Sequence, residues 1–170
     1  MKKPACAGAD EDGGRRNTKG NRQMKTYVCK VCGHVAFNQA PERCPVCGAP
    51  RTSFNEDPAA FKKPANPAAL TDGDKKHIPR IVVNKQCGLI PGGGCLDVHV
   101  KVGEIEHVME EKHFIRFIDY YLDYKFLARV EFSPTGCHPA AALHVKTASG
   151  RLTAVENCNV HGTWMAEIAL

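Results

Sequence analysis

Leu96-Asp97-Val98-His99-Val100-Lys101-Val102 places an apolar residue on every second position. A period of two puts the four apolar side chains on one face of an extended strand and the three polar ones on the other. Phe126, Ala128, Val130 and Phe132 alternate in the same way against Leu127, Arg129 and Glu131. So do Ala141, Leu143 and Val145, and Trp164, Ala166 and Ile168. Short alternating segments broken by Gly and Pro predict an antiparallel sandwich or barrel, mainly β, from about Lys75 onward. No long amphipathic helix pattern follows that residue, and no internal repeat is visible.

Upstream the composition changes. Residues 57–72 carry Pro58, Pro64, Pro67 and several Ala without periodicity. They read as a linker, long enough to let the units on either side move independently. Residues 25–56 form a compact cysteine-rich unit, residues 1–24 a disordered tail, and residues 73–170 the β unit.

The formal charge of +5 is unevenly spread. Residues 1–25 hold seven Lys/Arg against three acids, leaving 16 basic and 15 acidic residues for the remainder. A nucleic-acid-binding domain needs its basic patch on the folded part, so that class is excluded and the tail reads as solvated. Met1-Lys2-Lys3 is not followed by an apolar run, and nothing approaches the roughly 20 apolar residues of a membrane span. The expectation is a cytoplasmic protein without a membrane partner.

Nine cysteines are many for that compartment, where disulfides do not persist, so clustered cysteines point to metal. Cys29-Lys30-Val31-Cys32-Gly33 and Cys44-Pro45-Val46-Cys47-Gly48 are two Cys-x-x-Cys-Gly knuckles. Each glycine lets backbone N–H groups turn toward the sulfurs. Four thiolates suit Zn²⁺ or iron equally well, and a unit this short needs the metal to fold. A second constellation lies in the β unit. Cys158-Asn159-Val160-His161 can put a thiolate and an imidazole on one ion, with His77, His107 and His113 upstream. Several imidazoles and one thiolate suit iron or copper better than magnesium or calcium.

These motifs carry two resemblances. Tyr27-Val28-Cys29 and Cys44-Pro45-Val46-Cys47-Gly48-Ala49-Pro50, with Phe54 downstream, resemble the rubredoxin-like module of rubrerythrins. That resemblance implies redox-active iron on Cys29, Cys32, Cys44 and Cys47, with zinc the remaining option. Residues 72–170 resemble the superoxide reductases of the desulfoferrodoxin and neelaredoxin family. The match runs through Lys75-Lys76-His77-Ile78-Pro79, Lys101-Val102-Gly103-Glu104-Ile105-Glu106-His107, Met109-Glu110-Glu111-Lys112-His113-Phe114-Ile115 and Cys158-Asn159-Val160-His161-Gly162-Thr163-Trp164.

The second resemblance implies an immunoglobulin-like antiparallel β-sandwich. It implies one iron held equatorially by His77, His107, His113 and His161 and axially by Cys158, with the sixth position open. It further implies one-electron reduction of superoxide to hydrogen peroxide, with Lys76 at the mouth steering the anion and ordering a proton-delivering water. An external electron donor, a rubredoxin or a flavoprotein reductase, and a homodimer follow by the same analogy.

Two departures stand out. Lys75 occupies the position of a Glu that closes the oxidised site in many relatives, so that carboxylate is expected to be missing unless Asp72 or Asp74 substitutes. Val108 follows His107 where relatives carry Pro, which touches the loop rather than the ligand.

Other candidates read as ordinary. His99 and His144 fall on the polar phase of their strands. His34 and His138 are not needed by either site, and Trp164 and Phe114 read as core beside the ligands. Cys87 and Cys95 flank a Pro-Gly loop and can approach each other, although a cytoplasmic disulfide is not expected. Cys6 and Cys137 carry no assignment. The rival function class is a non-enzymatic zinc-ribbon adaptor, followed by a pure electron carrier. Colour separates them, since a zinc ribbon is colourless.

Overall fold

The computed structural model describes residues 24–90, 94–147 and 149–170. The tail reading falls almost wholly outside them, as does Cys6. The N-terminal unit is a three-stranded antiparallel sheet, β1 (Thr26–Cys29), β2 (Val35–Phe37) and β3 (Phe54–Glu56), in the order β2-β1-β3. A six-residue helix α1 (Asp72–His77) then leads into the β unit.

That unit is a sandwich of two antiparallel sheets. One has the order β4 (Pro79–Asn84), β5 (Leu96–Val102), β8 (Ala140–Val145). The other has the order β10 (Gly162–Ala169), β9 (Arg151–Cys158), β6 (Ile115–Leu122), β7 (Lys125–Glu131). Seven strands divided four and three are the immunoglobulin-like arrangement expected. The alternation in β5 lands in register, with Leu96, Val98, Val100 and Val102 all buried. They meet Ile118 and Tyr120 of β6 and Leu152 and Ala154 of β9 to form the core.

β6 and β9 do not alternate; nearly every residue is buried. The reason is a third layer. Inward residues fill the sandwich, while Phe117, Asp119 and Tyr121 turn outward under the N-terminal unit. Bulges in β6 adjust that phase.

The seam is polar at its centre. Asp119, fully buried, accepts from Arg129 Nε at 2.5 Å and Nη2 at 2.8 Å, and lies 3.0 Å from His34 Nδ1. Arg129 also donates to the carbonyl of Cys32 at 2.9 Å, and Tyr121 Oη donates to Val35 O at 2.8 Å. The Arg129 guanidinium lies 3.4 Å from the Phe117 ring centroid. His34, which nothing in the sequence required, is therefore a buried seam residue (1% exposed) stacked on Tyr121.

The segment read as a free linker is held down. The Phe61 ring stacks on Phe37 at 5.8 Å, and Lys62 N donates to Thr163 O at 2.8 Å. Apolar contact and a main-chain bond along its length replace the independence that its composition suggested.

Candidate metal centre

α1 is a single turn and a half that exists because its ends are capped. Thr71 Oγ1 accepts from Asp74 N at 3.1 Å, and Asp74 Oδ2 accepts from Thr71 N at 2.8 Å and from Thr71 Oγ1 at 2.6 Å. The cap fixes the frame in which His77, the last helical residue, points inward. His77 Nδ1 bonds Gly73 O at 2.6 Å and leaves Nε2 free to face the site. The same cap ties Asp74 Oδ2 to Thr71, while the residue lines the cavity beside His77. Those bonds hold the Asp74 carboxyl below the usual range.

His107 sits in the loop after β5. Gly103 lets that loop close on α1. Its φ is +82°, and a Cβ there would lie 2.7 Å from Lys76 O and 2.9 Å from Lys75 O. Glu104 N then donates to Lys75 O at 2.7 Å, joining the His107 loop to the His77 helix. His107 Nδ1 bonds Val108 O at 2.6 Å, so Val108 in place of Pro leaves the orientation of the ring intact.

His113 precedes β6 and is clamped by Asn159 from both sides. Phe114 N donates to Asn159 Oδ1 at 2.9 Å, and Asn159 Nδ2 donates to Lys112 O at 3.0 Å. Cys158 ends β9, buried, and His161 follows in the tight β9–β10 turn, donating its N–H to Cys158 Sγ at 3.4 Å.

These five residues converge. One donor atom from each of His77, His107, His113, Cys158 and His161 lies within 4.8 Å of every other. The imidazoles form a closed ring in the order 77, 107, 113, 161. Neighbouring centroids are 4.7, 4.6, 4.7 and 4.7 Å apart and neighbouring planes cross at 71–82°. His77 Nε2 and His113 Nε2 lie 3.0 and 3.1 Å from His161 Nδ1. A square of donors with that edge sets each about 2.1 Å from its centre, at the imidazole–metal distance of roughly 2.0–2.1 Å.

His107 Nε2 is buried and has no hydrogen-bond partner, an isolation that a metal at the centre of the ring relieves. Burial lowers the His77 and His113 pKa values and takes His107 down to about 4, so these three rings favour the neutral form that offers a lone pair. The donor chemistry therefore fits a mononuclear redox metal.

The site is open on one side. A cavity of about 850 Å³ touches all four imidazoles but not Cys158. Lys76 and Lys62 both line it. Trp164 closes another wall, its ring stacked on His77 at 5.2 Å. Three neighbours escaped the sequence reading. Lys62 lay in a segment without pattern. Asn159 sat inside a recognised motif without a role. Glu156 had no mark beyond its place in an apolar strand. It is fully buried with both carboxylate oxygens unpartnered, and burial raises its pKa well above the ordinary range, so it stands as a neutral acid two residues before Cys158.

The first cluster is built of sulfur alone. Cys29 and Cys47 sulfurs are 3.8 Å apart and those of Cys32 and Cys44 3.6 Å. Tetrahedral coordination at the usual metal–sulfur length of about 2.3 Å gives that spacing. Gly33 and Gly48 have φ of +73° and +74° and donate to Cys29 O and Cys44 O, which closes each knuckle. Exposed His99 pairs with half-buried Asp97, and exposed His138 with Glu106, as surface histidines do.

Comparison with known proteins agrees with both clusters. Residues 27–55 match the rubredoxin-like domain of rubrerythrin, and residues 69–167 match the desulfoferrodoxin domain. A desulfoferrodoxin of Desulfarculus baarsii is 32% identical over 147 residues, covering 85% of this chain and 97% of its own. A desulfoferrodoxin of Syntrophotalea carbinolica is 31% identical over the same length, with the same coverage. The superoxide reductase structure of Nanoarchaeum equitans is similar over 56% of this chain and 94% of its own, at 30% identity and a TM-score of 0.49. An open ring of four imidazoles over a buried thiol, preceded by a four-thiol knuckle unit, with the desulfoferrodoxin match over residues 69–167 and two desulfoferrodoxins aligned over 85% of the chain, places this chain in the desulfoferrodoxin family of superoxide reductases.

Proposed function

We propose that this chain reduces superoxide, adding one electron and two protons to give hydrogen peroxide, at an iron held by His77, His107, His113, His161 and Cys158. Ferrous iron supplies the electron when bound. The observation that carries the reading is the one-sided exposure of the imidazole ring: the cavity reaches the four rings from the face away from Cys158. That face gives a small anion its approach.

The chain's residues supply the rest. Neutral imidazoles leave the site cationic, with the Cys158 thiolate as the single anionic donor, so an anion is attracted. Lys76, half-buried beside His77, lines the mouth and steers it, and orders the water that delivers a proton. Lys62 adds a second positive charge from the pinned segment. Trp164 excludes water from the His77 edge. The N–H of His161 directed at Cys158 Sγ tempers the thiolate. Lys75, in the position of the family's Glu, offers no carboxylate to the open position, and Asp74 spends one carboxylate oxygen on its cap with Thr71.

We assign residues 25–56 to an iron–tetrathiolate domain that takes electrons from an external donor, a rubredoxin or a flavoprotein reductase. Residues 73–170 form the reductase domain. By the same analogy the working protein is a cytoplasmic homodimer. Among the described residues no helix is long and apolar enough to cross a membrane.

Pulse radiolysis of the iron-loaded, reduced protein tests the activity. Reduction yields one peroxide per superoxide with oxidation of the iron. A yield of half a peroxide per superoxide, without net iron oxidation, is the signature of dismutation and sinks the proposal.

A further inference from the structure

The smaller sheet carries donors at both ends. His77 and His107 belong to one end, where β4 begins and β5 stops. At the other end, Cys87 follows β4, Cys95 precedes β5, and His144 lies on β8 opposite Asp97. The seven residues of β5 separate the two ends by about 20 Å at the usual rise of roughly 3.3 Å per residue. The second end is therefore outside the catalytic centre.

Three soft donors meet there. Cys87 Sγ lies 3.1 Å from His144 Nδ1, and Cys95 Sγ lies 3.2 Å from the same nitrogen. One donor atom from each of the three residues is within 4.8 Å of the others. Both cysteines are free thiols, and Cys95 is buried. The sequence placed His144 on a solvated strand face, whereas the fold turns its ring nitrogen onto both sulfurs. A disulfide would leave the imidazole without a reason to sit equidistant from the two sulfurs. A metal ion gives it one, since two thiolates and an imidazole nitrogen directed at one point are a soft-metal donor set.

We infer that Cys87, Cys95 and His144 form a third metal site, specific for a soft ion of the zinc class and independent of the two iron centres. Binding displaces the two thiol protons and joins the ends of β4 and β5 to β8. Asp97, the register partner of His144, is bonded to His99 Nε2 at 2.9 Å, so the fourth position falls to solvent.

The experiment uses the full chain with both irons loaded, reduced and kept anaerobic, dialysed against Zn²⁺ and then freed of excess ion. Metal analysis is expected to give two irons and one zinc per chain, with the visible spectrum of the irons unchanged. Cys87→Ser and, separately, His144→Gln are expected to keep both irons and to lower zinc affinity at least about 100-fold, since a direct ligand matters more than the outer-shell partners that typically cost 10–100-fold. Co²⁺ in place of zinc is expected to add sulfur-to-metal charge-transfer absorption that Cys87→Ser abolishes. Zinc that fails to bind, zinc retained equally by both variants, or a Cys87–Cys95 disulfide found by mass spectrometry in the anaerobic protein would each overturn the assignment.

Discussion

The four-thiol cluster and the imidazole ring solve the same problem from opposite directions. Cys29, Cys32, Cys44 and Cys47 come from two local turns, each closed by a glycine with positive φ and its own main-chain bonds. The ring takes His77 from a capped helix end, His107 and His113 from one loop, and Cys158 and His161 from a hairpin turn. A site built from local turns surrounds its ion; a site built on the rim of a sandwich keeps one face bare. Closed coordination suits electron storage, and the open face suits substrate. The two centres should therefore fail separately.

The largest effect tests that separation directly. Cys158→Ser or His107→Ala is expected to lose the sandwich iron and to lower superoxide consumption by at least about 10³-fold, as loss of a group that acts only through the reacting centre does. The tetrathiolate spectrum should persist. Cys29→Ser is the converse: it bleaches the knuckle iron while superoxide consumption with a chemical reductant stays within about twofold. If that variant retains the sandwich iron yet no longer consumes superoxide, the centres are coupled and the comparison breaks.

The next effect lies at the seam between the regions. Asp119→Ala strands the buried Arg129 guanidinium and is expected to cost about 3–5 kcal/mol in denaturant unfolding. Asp119→Ala with Arg129→Met should recover much of that loss. Failure of the double variant to recover would mean that the bond from Arg129 to Cys32 O, rather than the ion pair, holds the knuckle unit in place.

Gly103→Ala sharpens the account of the scattered site. A Cβ against the Ile105, Lys76 and Lys75 carbonyls distorts the His107 loop and parts it from α1, and iron affinity at the ring should fall roughly 10–100-fold with the four-thiol iron untouched. Competition with a chelator, followed at the two visible bands, reads both sites in one experiment.

The smallest effects concern steering. Lys76→Ala is expected to slow the bimolecular reaction with superoxide about tenfold and to flatten its dependence on ionic strength, and Lys62→Ala to do the same by about two- to threefold. Stopped-flow rates over a salt series measure both. A Lys62→Ala rate equal to the parent at low salt would remove that residue from the mouth.

Much of this molecule was legible in the chain. The alternation of Leu96–Val102 and its counterparts sets strand faces, because side chains alternate by backbone geometry alone. The knuckles declare their metal because their donors are near in sequence. The remote histidines could be gathered only by resemblance, since nothing local distinguishes His77 or His107 from His99.

Other features belong to tertiary structure because they depend on what a residue meets. Continuous burial along β6 and β9 follows from a third layer that no strand pattern encodes. Lys62 reaches the cavity because Phe61 and Lys62 pin a segment whose composition reads as slack. Asp74 is tied to Thr71 by a cap, and His34 and His144 gain partners 85 and 49 or more positions away. Periodicity and short spacing are properties of the backbone and survive in the linear chain. Convergence of distant side chains is created by packing, and only the folded chain records it.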